Sequence, residues 1–275
     1  MNGRQVDAFA PAKINLALHV TGQRDDGYHL LDSLVMFADV GDTVRLSDAP
    51  EMSLKVTGPR AAGVPADRRN LCWKAAEAFG CAVAMTLDKH LPAAAGIGGG
   101  SSDAAAVLRA MEDLYGRPAP VDPVTLGADV PVCMVGHAAR MNGIGDHVLP
   151  LFMAPMYAVL VNPGVEVPTP AVFKALSRKD NPPMSEMPEG GGQAAALDWL
   201  RAQRNDLQDP AIALQPVIGE VLAALAAQAG ARLVRMSGSG ATCFALFDDR
   251  PAADAAAAQM QQAHPHWWTA ACTLR

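Results

Sequence analysis

Apolar and polar residues alternate in the first strongly patterned segment of the chain, residues 9–20. One face of this period-two pattern carries Ile14, Leu16, Leu18 and Val20, and the other carries Lys13, Asn15, Ala17 and His19. Such alternation predicts a β-strand that buries its aliphatic face. The opposite face would present an ammonium and an amide close together. Without a partner for these groups, it is an ordinary solvated face.

The same patterning predicts a mixture of strands and helices along the rest of the chain. Further strands are expected near residues 33–38, 43–47, 52–57, 82–88, 137–141, 146–149, 157–162, 231–236, 242–247 and 267–273. Helices are expected near residues 70–79, from a glycine-rich loop to about 115, and near 169–177, 194–201, 210–229 and 251–263. This order is typical of an α+β protein rather than of repeated βαβ units.

A glycine-rich loop precedes an alanine-rich helix in residues 91–106, LPAAAGIGGGSSDAAA. Its glycines are Gly96, Gly98, Gly99 and Gly100, and Ser101 and Ser102 follow them. Glycine lets a ligand approach the backbone, and a helix start supplies unpaired N–H groups and a positive dipole end. These properties favour a phosphate-binding loop. A flexible loop before a helix capped by its serines explains the same residues.

Three common nucleotide-binding signatures do not occur in the sequence. The loop lacks G-x-x-x-x-G-K-[ST], and its G-I-G-G-G-S spacing does not supply G-x-G-x-x-G. The H-R-D and D-F-G sequences of protein kinases are missing as well. These absences argue against a Walker A site, a Rossmann dinucleotide site and a protein-kinase fold.

Two later segments carry further candidate chemistry. Asp129 lies in LGADVPV, residues 126–132, among apolar residues and shortly before a proline. It is either a catalytic carboxylate or the cap of a turn or helix, the usual role of aspartate near glycine and proline. Residues 235–247, RMSGSGATCFALF, form a second glycine-serine loop before an apolar strand. A tight turn between two strands would explain that segment without any ligand.

Composition narrows the class of protein. The 275 residues suffice for two domains, and their formal net charge of −6, without a basic block, argues against nucleic acid as a partner. The five cysteines form no C-x-x-C pair and show no metal-ligand spacing with histidine. They are typical of reduced thiols in a cytoplasmic protein. Neither a secretory signal nor a membrane span is expected, because the most apolar stretch, about residues 149–161, is short and broken by proline.

These segments occur in the order expected of the GHMP kinase superfamily, and the chain resembles that family over residues 9–247. Pro92 to Ser102 is similar to the family's glycine loop, P-x-x-x-G-[LI]-G-x-[GS]-S-[SA]. The resemblance implies a two-domain α+β fold, with an N-terminal ribosomal-protein-S5-like domain, a C-terminal ferredoxin-like domain and the active site between them. The expected domains are residues 1–153, which would bind ATP, and residues 154–275.

The opening segment narrows the resemblance. PAKINLALHV followed by R-D-D-G-Y-H resembles the GHMP kinases whose substrate is 4-diphosphocytidyl-2-C-methyl-D-erythritol. This implies ATP-dependent phosphorylation of a hydroxyl of that compound in the non-mevalonate (methylerythritol phosphate) route to isoprenoid precursors, giving the 2-phosphate and ADP. The implied partner is a small molecule with a cytidine diphosphate group. We expect the protein to be a monomer or weak homodimer and to bind neither nucleic acid nor a membrane.

The resemblance also implies a role for individual residues. Lys13 and Asp129 would be catalytic, and Pro92, the four loop glycines, Ser101, Ser102 and Asn70 would bind ATP. Asn15 and Thr169 would lie near the substrate. Tyr28 and His29 would hold the cytosine, with Phe173 on its other side. Mg²⁺ is expected with ATP, and no residue is assigned as its ligand.

Two departures and several alternatives accompany the resemblance. Ala93, Ala94 and Ala95 stand where relatives often carry glycine, which is harmless only if φ stays negative there. The connection at residues 116–125 is shorter and richer in proline than is usual in the family. Three alternative functions stay open. They are another GHMP kinase of homoserine or mevalonate type, a mevalonate diphosphate decarboxylase, which shares the fold, and a non-catalytic nucleotide-binding regulator.

Overall fold

The structure is a computed structural model that describes residues 4–188 and 192–275. Its contacts divide the chain into two compact units. The first comprises residues 1–13, 40–93 and 98–136, and the second comprises residues 14–39, 94–97 and 137–275. Each unit therefore collects separate stretches of chain. The domain boundary expected after residue 153 stays a prediction.

The first unit combines a small sheet with three helices. Its elements are the start of β1 (Gln5–Gln23), the end of β2 (His29–Asp48), β3 (Ser53–Thr57), α1 (Leu71–Phe79), β4 (Val83–Asp88), α2 (Gly99–Tyr115) and α3 (Val130–Val135). Strand β4 pairs antiparallel with β2 and parallel with β3. Helix α2 packs against α1 and α3, and small buried residues such as Ala104, Ala105 and Ala106 let these helices approach closely.

The second unit is an antiparallel sheet with helices against it. It contains the rest of β1 and β2 together with β5 (Ala139–Gly143), β6 (His147–Pro150), β7 (Met156–Asn162), α4 (Thr169–Lys174), α5 (Gly192–Arg201), α6 (Gln208–Leu214), α7 (Val217–Ala226), β8 (Leu233–Met236), β9 (Cys243–Phe247), α8 (Arg250–Ala263) and β10 (Trp268–Leu274). The strand order is β2-β10-β7-β9-β8, and β5 pairs with β2 and β6. Helices α7 and α8 cover β7–β10 and close an aliphatic core around Val159, Val161 and Phe247.

Strand β2 is one continuous element, so the prediction of separate strands at 33–38 and 43–47 is wrong. Gly41, which lies between the two predicted segments, is inside the strand. A Cβ at this position would stand within 2.8 Å of the Ala10 carbonyl carbon. Glycine is therefore needed because another backbone passes close by.

The helix predicted over residues 210–229 is two helices, α6 and α7. Gln215 leaves the helical region, with φ −137° and ψ 86°, and Pro216 follows it. Proline disfavours helical backbone in the residue before it. The break therefore follows from one residue that the sequence prediction passed over.

The short connection before Asp129 contains a 3-10 turn, Pro123–Thr125, and the unpredicted helix α3 begins directly after Asp129. Asp122 accepts a hydrogen bond from the Val124 N–H at 3.2 Å and so begins this turn. Local capping thus gives the proline-rich stretch a defined path. The five cysteines are free thiols, and four of them are buried.

Candidate active site

Lys13 of β1 and Asp129, which precedes α3, form an ion pair within the first unit. Lys13 Nζ lies 2.6 Å from Asp129 Oδ1, and the two side chains are 5% and 37% exposed. A buried ammonium without a partner is costly, so the carboxylate helps to hold Lys13 inside the protein. The motifs at residues 13 and 129 are therefore parts of one arrangement.

Asp129 occupies the N-cap position of α3 without capping the helix. Its backbone is helical, with φ −88° and ψ −11°, and its side chain accepts no hydrogen bond from the first turn. Pro131 follows in that turn and has no N–H to donate. The alternative interpretation of Asp129 as a helix cap is therefore wrong, and the carboxylate remains free to pair with Lys13.

Strand β1 is buried on both faces around Lys13, Asn15 and His19, so the alternative of an ordinary solvated face is wrong. Each polar side chain on that face has its own partner. Lys13 pairs with Asp129, and the Asn15 amide donates to Ser33 Oγ at 2.8 Å. Buried polar groups are tolerated when they are hydrogen-bonded, which explains why alternation alone misplaced this face.

The glycine loop is built around Gly98, the residue before α2. Gly98 has left-handed backbone, with φ +63° and ψ 18°. A Cβ at this position would lie 3.2 Å from Lys13 Cβ and 3.3 Å from Lys13 Cε. Glycine is therefore needed both for its φ and because the Lys13 side chain runs beside it.

The start of α2 offers unpaired backbone donors. The first intrahelical bond runs from the Ser102 N–H to the Gly98 carbonyl at 2.8 Å, so the N–H groups of Gly99, Gly100 and Ser101 have no intrahelical acceptor. Three donors at a helix start, beside the Lys13 ammonium, are suited to a phosphate.

Ser101 and Ser102 lie inside the first turn of α2, and the helix has no side-chain cap. The alternative in which these serines cap the helix is therefore wrong. Ser102 is fully buried, and its Oγ has no hydrogen-bond partner among the described residues. Since a hydroxyl can donate or accept, it is suited to an oxygen-rich ligand.

The residues at the start of the glycine loop are partly buried or already hydrogen-bonded within the protein. Pro92 is half-buried, and the Gly96 carbonyl accepts a hydrogen bond from Ser237 Oγ at 3.1 Å within the second unit. Ala94 has φ +48°. The negative φ that would make alanine harmless is thus not found at Ala94, although Ala93 and Ala95 do not have positive φ, and left-handed backbone costs such a residue roughly 1–2 kcal/mol.

Asn70 caps α1. Its Oδ1 accepts from the Cys72 N–H at 2.9 Å, and its Nδ2 donates to the Pro65 carbonyl at 2.7 Å. Both ends of the amide are thus engaged in local structure. A contact between Asn70 and the nucleotide stays a prediction.

Within the second unit, His29 and Phe173 stack on each other. Their ring centroids are 4.6 Å apart and the ring planes are inclined by 23°. A base between them would need planes about 7 Å apart, twice the usual carbon–carbon contact distance, so no base fits between the two rings at this spacing. His29 Nε2 is buried and has no partner among the described residues. Burial, together with the charge of Lys179, lowers the pKa of His29.

Tyr28 precedes His29 at the end of an acidic turn, and its side chain is 61% exposed. The turn is closed by a hydrogen bond from the Arg24 N–H to the Tyr28 carbonyl at 2.8 Å. The tyrosine ring is therefore presented to solvent, next in sequence to the stacked pair, rather than half-buried as an ordinary core aromatic.

Asn15 and Thr169 both contact the second glycine-serine loop, which is a turn between β8 and β9. The Asn15 N–H donates to Ser237 Oγ at 3.0 Å, and Thr169 Oγ1 lies 2.8 Å from Ser239 Oγ. Asn15 Oδ1 is buried and has no partner among the described residues. Sequence reasoning missed Ser33 and Ser237, which hold Asn15, because both lie far from it along the chain.

Residues 4–188 and 192–275 contain no group of three or more His, Cys, Asp or Glu arranged to hold a metal ion. No helix in these ranges is long and apolar enough to cross a membrane.

Comparison with known proteins identifies the family. The model of the GHMP kinases N terminal domain matches residues 70–149, and that of the GHMP kinases C terminal matches residues 191–266. A protein of Cereibacter sphaeroides named 4-diphosphocytidyl-2-C-methyl-D-erythritol kinase is 57% identical over 268 residues, covering 95% of this chain and 96% of its own length. The chain belongs to the 4-diphosphocytidyl-2-C-methyl-D-erythritol kinase family of GHMP kinases.

Two further members of this family agree with the assignment. The Dinoroseobacter shibae protein of the same name is 56% identical over 275 residues, covering 99% of this chain and 96% of its own length. A crystal structure of a 4-(cytidine 5'-diphospho)-2C-methyl-D-erythritol kinase superposes with a TM-score of 0.78 at 36% identity, covering 98% of this chain and 99% of that one. The expected α+β GHMP kinase fold is confirmed, and membership makes the chain an ATP-dependent small-molecule kinase.

Proposed function

We propose that this chain transfers the γ-phosphoryl group of ATP to a hydroxyl of 4-diphosphocytidyl-2-C-methyl-D-erythritol, giving the 2-phosphate and ADP. The reaction belongs to the non-mevalonate route to isoprenoid precursors. The observation that best supports it is the Lys13–Asp129 pair, whose lysine side chain runs beside Gly98 of the phosphate loop. Relatives that carry this substrate in their names match nearly the whole chain.

Asp129 and Lys13 have different roles in the proposed reaction. Asp129 accepts the proton of the substrate hydroxyl while that oxygen bonds to the γ-phosphorus and the bond to the β-phosphate oxygen breaks. The Lys13 ammonium orients the carboxylate and stabilises negative charge on the transferring phosphoryl group. Phosphoryl transfer depends mostly on alignment and electrostatics, and a buried ion pair provides both.

The glycine loop binds the ATP phosphates through the backbone N–H groups of Gly99, Gly100 and Ser101, with the Ser102 hydroxyl as a further donor. Mg²⁺ accompanies ATP and screens the charge of its phosphates. The described residues offer no carboxylate or imidazole cluster for a metal, so no residue is assigned as a ligand of the Mg²⁺ that would accompany ATP.

The cytidine group is bound by Tyr28, His29 and Phe173. The rings of His29 and Phe173 stack on each other, and a base can extend such a stack. We propose that the unpartnered Nε2 of His29 bonds the base edge. Tyr28 supplies a second, exposed ring.

Asn15 Oδ1 and the Thr169 hydroxyl bind the polyol part of the substrate. A buried acceptor without a partner, as Asn15 Oδ1 is, favours a ligand that carries hydroxyl donors. The protein acts in the cytoplasm as a monomer or weak homodimer; its free thiols support that location.

A coupled assay of ADP release tests the proposal. The acceptor is 4-diphosphocytidyl-2-C-methyl-D-erythritol, with homoserine and mevalonate as controls. ADP formation only with the cytidine compound is expected. Turnover with a control compound would overturn the cytosine site, carbon dioxide release would indicate a decarboxylase, and ATP binding without turnover of any acceptor would indicate a regulator.

A further inference from the structure

Three buried charged side chains in the first unit are not used by the proposed chemistry. Lys89 follows β4, Asp42 lies in β2 and Asp103 lies in the second turn of α2. Lys89 Nζ donates to Asp42 Oδ2 and, at 2.8 Å, to Asp103 Oδ2. All three side chains are at most 5% exposed. We call Lys89, Asp42 and Asp103 the buried triad.

The buried triad joins the two ends of the phosphate loop. At the start, Asp42 Oδ1 accepts the backbone N–H groups of His90 and Leu91, the latter at 2.8 Å. At the end, Lys89 holds Asp103 of α2. A Cβ on Gly99 would lie 3.4 Å from Lys89 Nζ, so the ammonium stands against the first residue of the helix. The segment 92–98 therefore runs between two anchors that share one lysine.

The charges of the buried triad do not balance as they would in a simple stabilising ion pair. Two carboxylates face one ammonium, and Asp103 Oδ1 has no partner among the described residues. Burial raises the pKa of Asp103 to about 7; Lys89 opposes this rise, and Asp42 adds to it. Buried charges cost desolvation free energy, and apolar replacements are often neutral or stabilising. An arrangement of this kind is better explained by the geometry that it fixes.

We propose that Asp103, Lys89 and Asp42 are positioning residues that hold the two ends of segment 92–98 in register, so that the N–H groups at the start of α2 are preorganised for the ATP phosphates. This inference rests on the proposed function of that segment. It assigns no contact with ATP to the buried triad itself. Its energetic effect is on nucleotide affinity, because an ordered loop avoids the ordering cost on binding.

Substitutions of Asp103 test this role, because removing this carboxylate leaves Lys89 and Asp42 as a balanced pair. Asp103→Ala removes the α2 anchor, and Asp103→Leu removes it while filling the vacated space. Asp103→Asn keeps an oxygen acceptor at the same place. Asp113→Ala is the matched control, since Asp113 lies in the same helix and is exposed.

Three quantities are measured for each variant: the ATP dissociation constant by calorimetry, the melting temperature, and hydrogen exchange at the Leu91 and Ser102 amides. For Asp103→Ala and Asp103→Leu we expect at least tenfold weaker ATP binding and at least tenfold faster exchange of the Ser102 amide. The melting temperature of Asp103→Leu should be unchanged or higher. Asp103→Asn should stay within threefold of the wild type, and Asp113→Ala should match it.

Several outcomes would overturn the proposal. Unchanged ATP affinity in Asp103→Leu would remove the positioning role. Tighter binding in both Asp103→Leu and Asp103→Asn would mean that the carboxylate acts only by repelling the nucleotide. Loss of affinity that merely follows the melting temperature would make the buried triad structural. Since exchange at Ser102 needs no substrate, a failure of the proposed kinase activity would be seen separately, in the ADP assay.

Discussion

Replacing Gly98 by alanine tests the link between the glycine loop and Lys13. The left-handed backbone of Gly98 costs a residue with a Cβ roughly 1–2 kcal/mol. The reduced freedom of the unfolded chain returns about 0.4–1 kcal/mol. The new Cβ would also stand 3.2 Å from Lys13 Cβ, which forces a shift of a few tenths of an ångström. The net loss is about 1 kcal/mol, or roughly 2–4 °C in melting temperature.

Gly100→Ala is the matched control for stability. Gly100 lies within α2 without positive φ, and its Cβ would meet Leu71 Cδ1 at an ordinary 3.6 Å. Alanine there should stabilise the helix by up to about 1 kcal/mol. Thermal unfolding of both variants should therefore give shifts of opposite sign.

The kinetic part of the same experiment follows Lys13. Because displacement of a catalytic group by about 1 Å can cost 100-fold in rate, the smaller shift in Gly98→Ala should lower kcat about tenfold. Equal melting temperatures for the two variants, or an unchanged kcat in Gly98→Ala, would refute the argument that Gly98 is fixed by its φ and by the lysine beside it.

Three further predictions concern single side chains. Asp129→Asn should lower kcat by about 10²–10⁴, the usual contribution of a positioned base, with both KM values within about threefold; near-normal turnover in the ADP assay would remove Asp129 from the chemistry. His29→Ala should raise KM for the cytidine substrate and leave KM for ATP unchanged, and an equal rise in both would make the histidine structural. Burial and the Arg204 charge lower the pKa of His19, and its Nε2 accepts the Arg204 N–H. The unfolded chain then binds the proton more readily, so stability is complete above about pH 6.5 and is lost as the pH falls toward the folded pKa. Melting temperatures between pH 5 and 8 should show this acid loss in the wild type and a smaller one in His19→Gln, and parallel curves would contradict it.

Local pattern predicted the elements of this fold well. Strands β1, β4 and β7 and helices α1, α2 and α8 lie close to their expected positions, because each has a clear period and recognisable ends. Prediction failed where a distant partner decides the structure. Gly41 resembles a turn until the Ala10 carbonyl is placed beside it, and no local signal contains that carbonyl.

The same difference between local sequence pattern and contacts with distant residues applies to the candidate site. Glycine spacing and the motifs around Lys13 and Asp129 pointed to segments that the structure brings together in the candidate site, since motif residues are neighbours in sequence. Burial of both faces of β1, the pairing of the Asp129 carboxylate with Lys13 and the His29–Phe173 stack depend on packing between remote segments. The buried triad gave no signal at all, because a lone lysine after a strand and a lone aspartate in a helix are normally solvated.

Strand order in the second unit has a consequence for synthesis of the chain on the ribosome. Strand β10 lies between β2 and β7, but both of these partners are translated long before it. Until residues 268–274 emerge, β7, which pairs with β10 along its whole length, has an unpaired edge in the nascent protein, and such an edge is a known hazard for association with other chains. A premature stop codon before Trp268 would therefore remove a central strand rather than a dispensable tail, and its product should be found in aggregates or with chaperones.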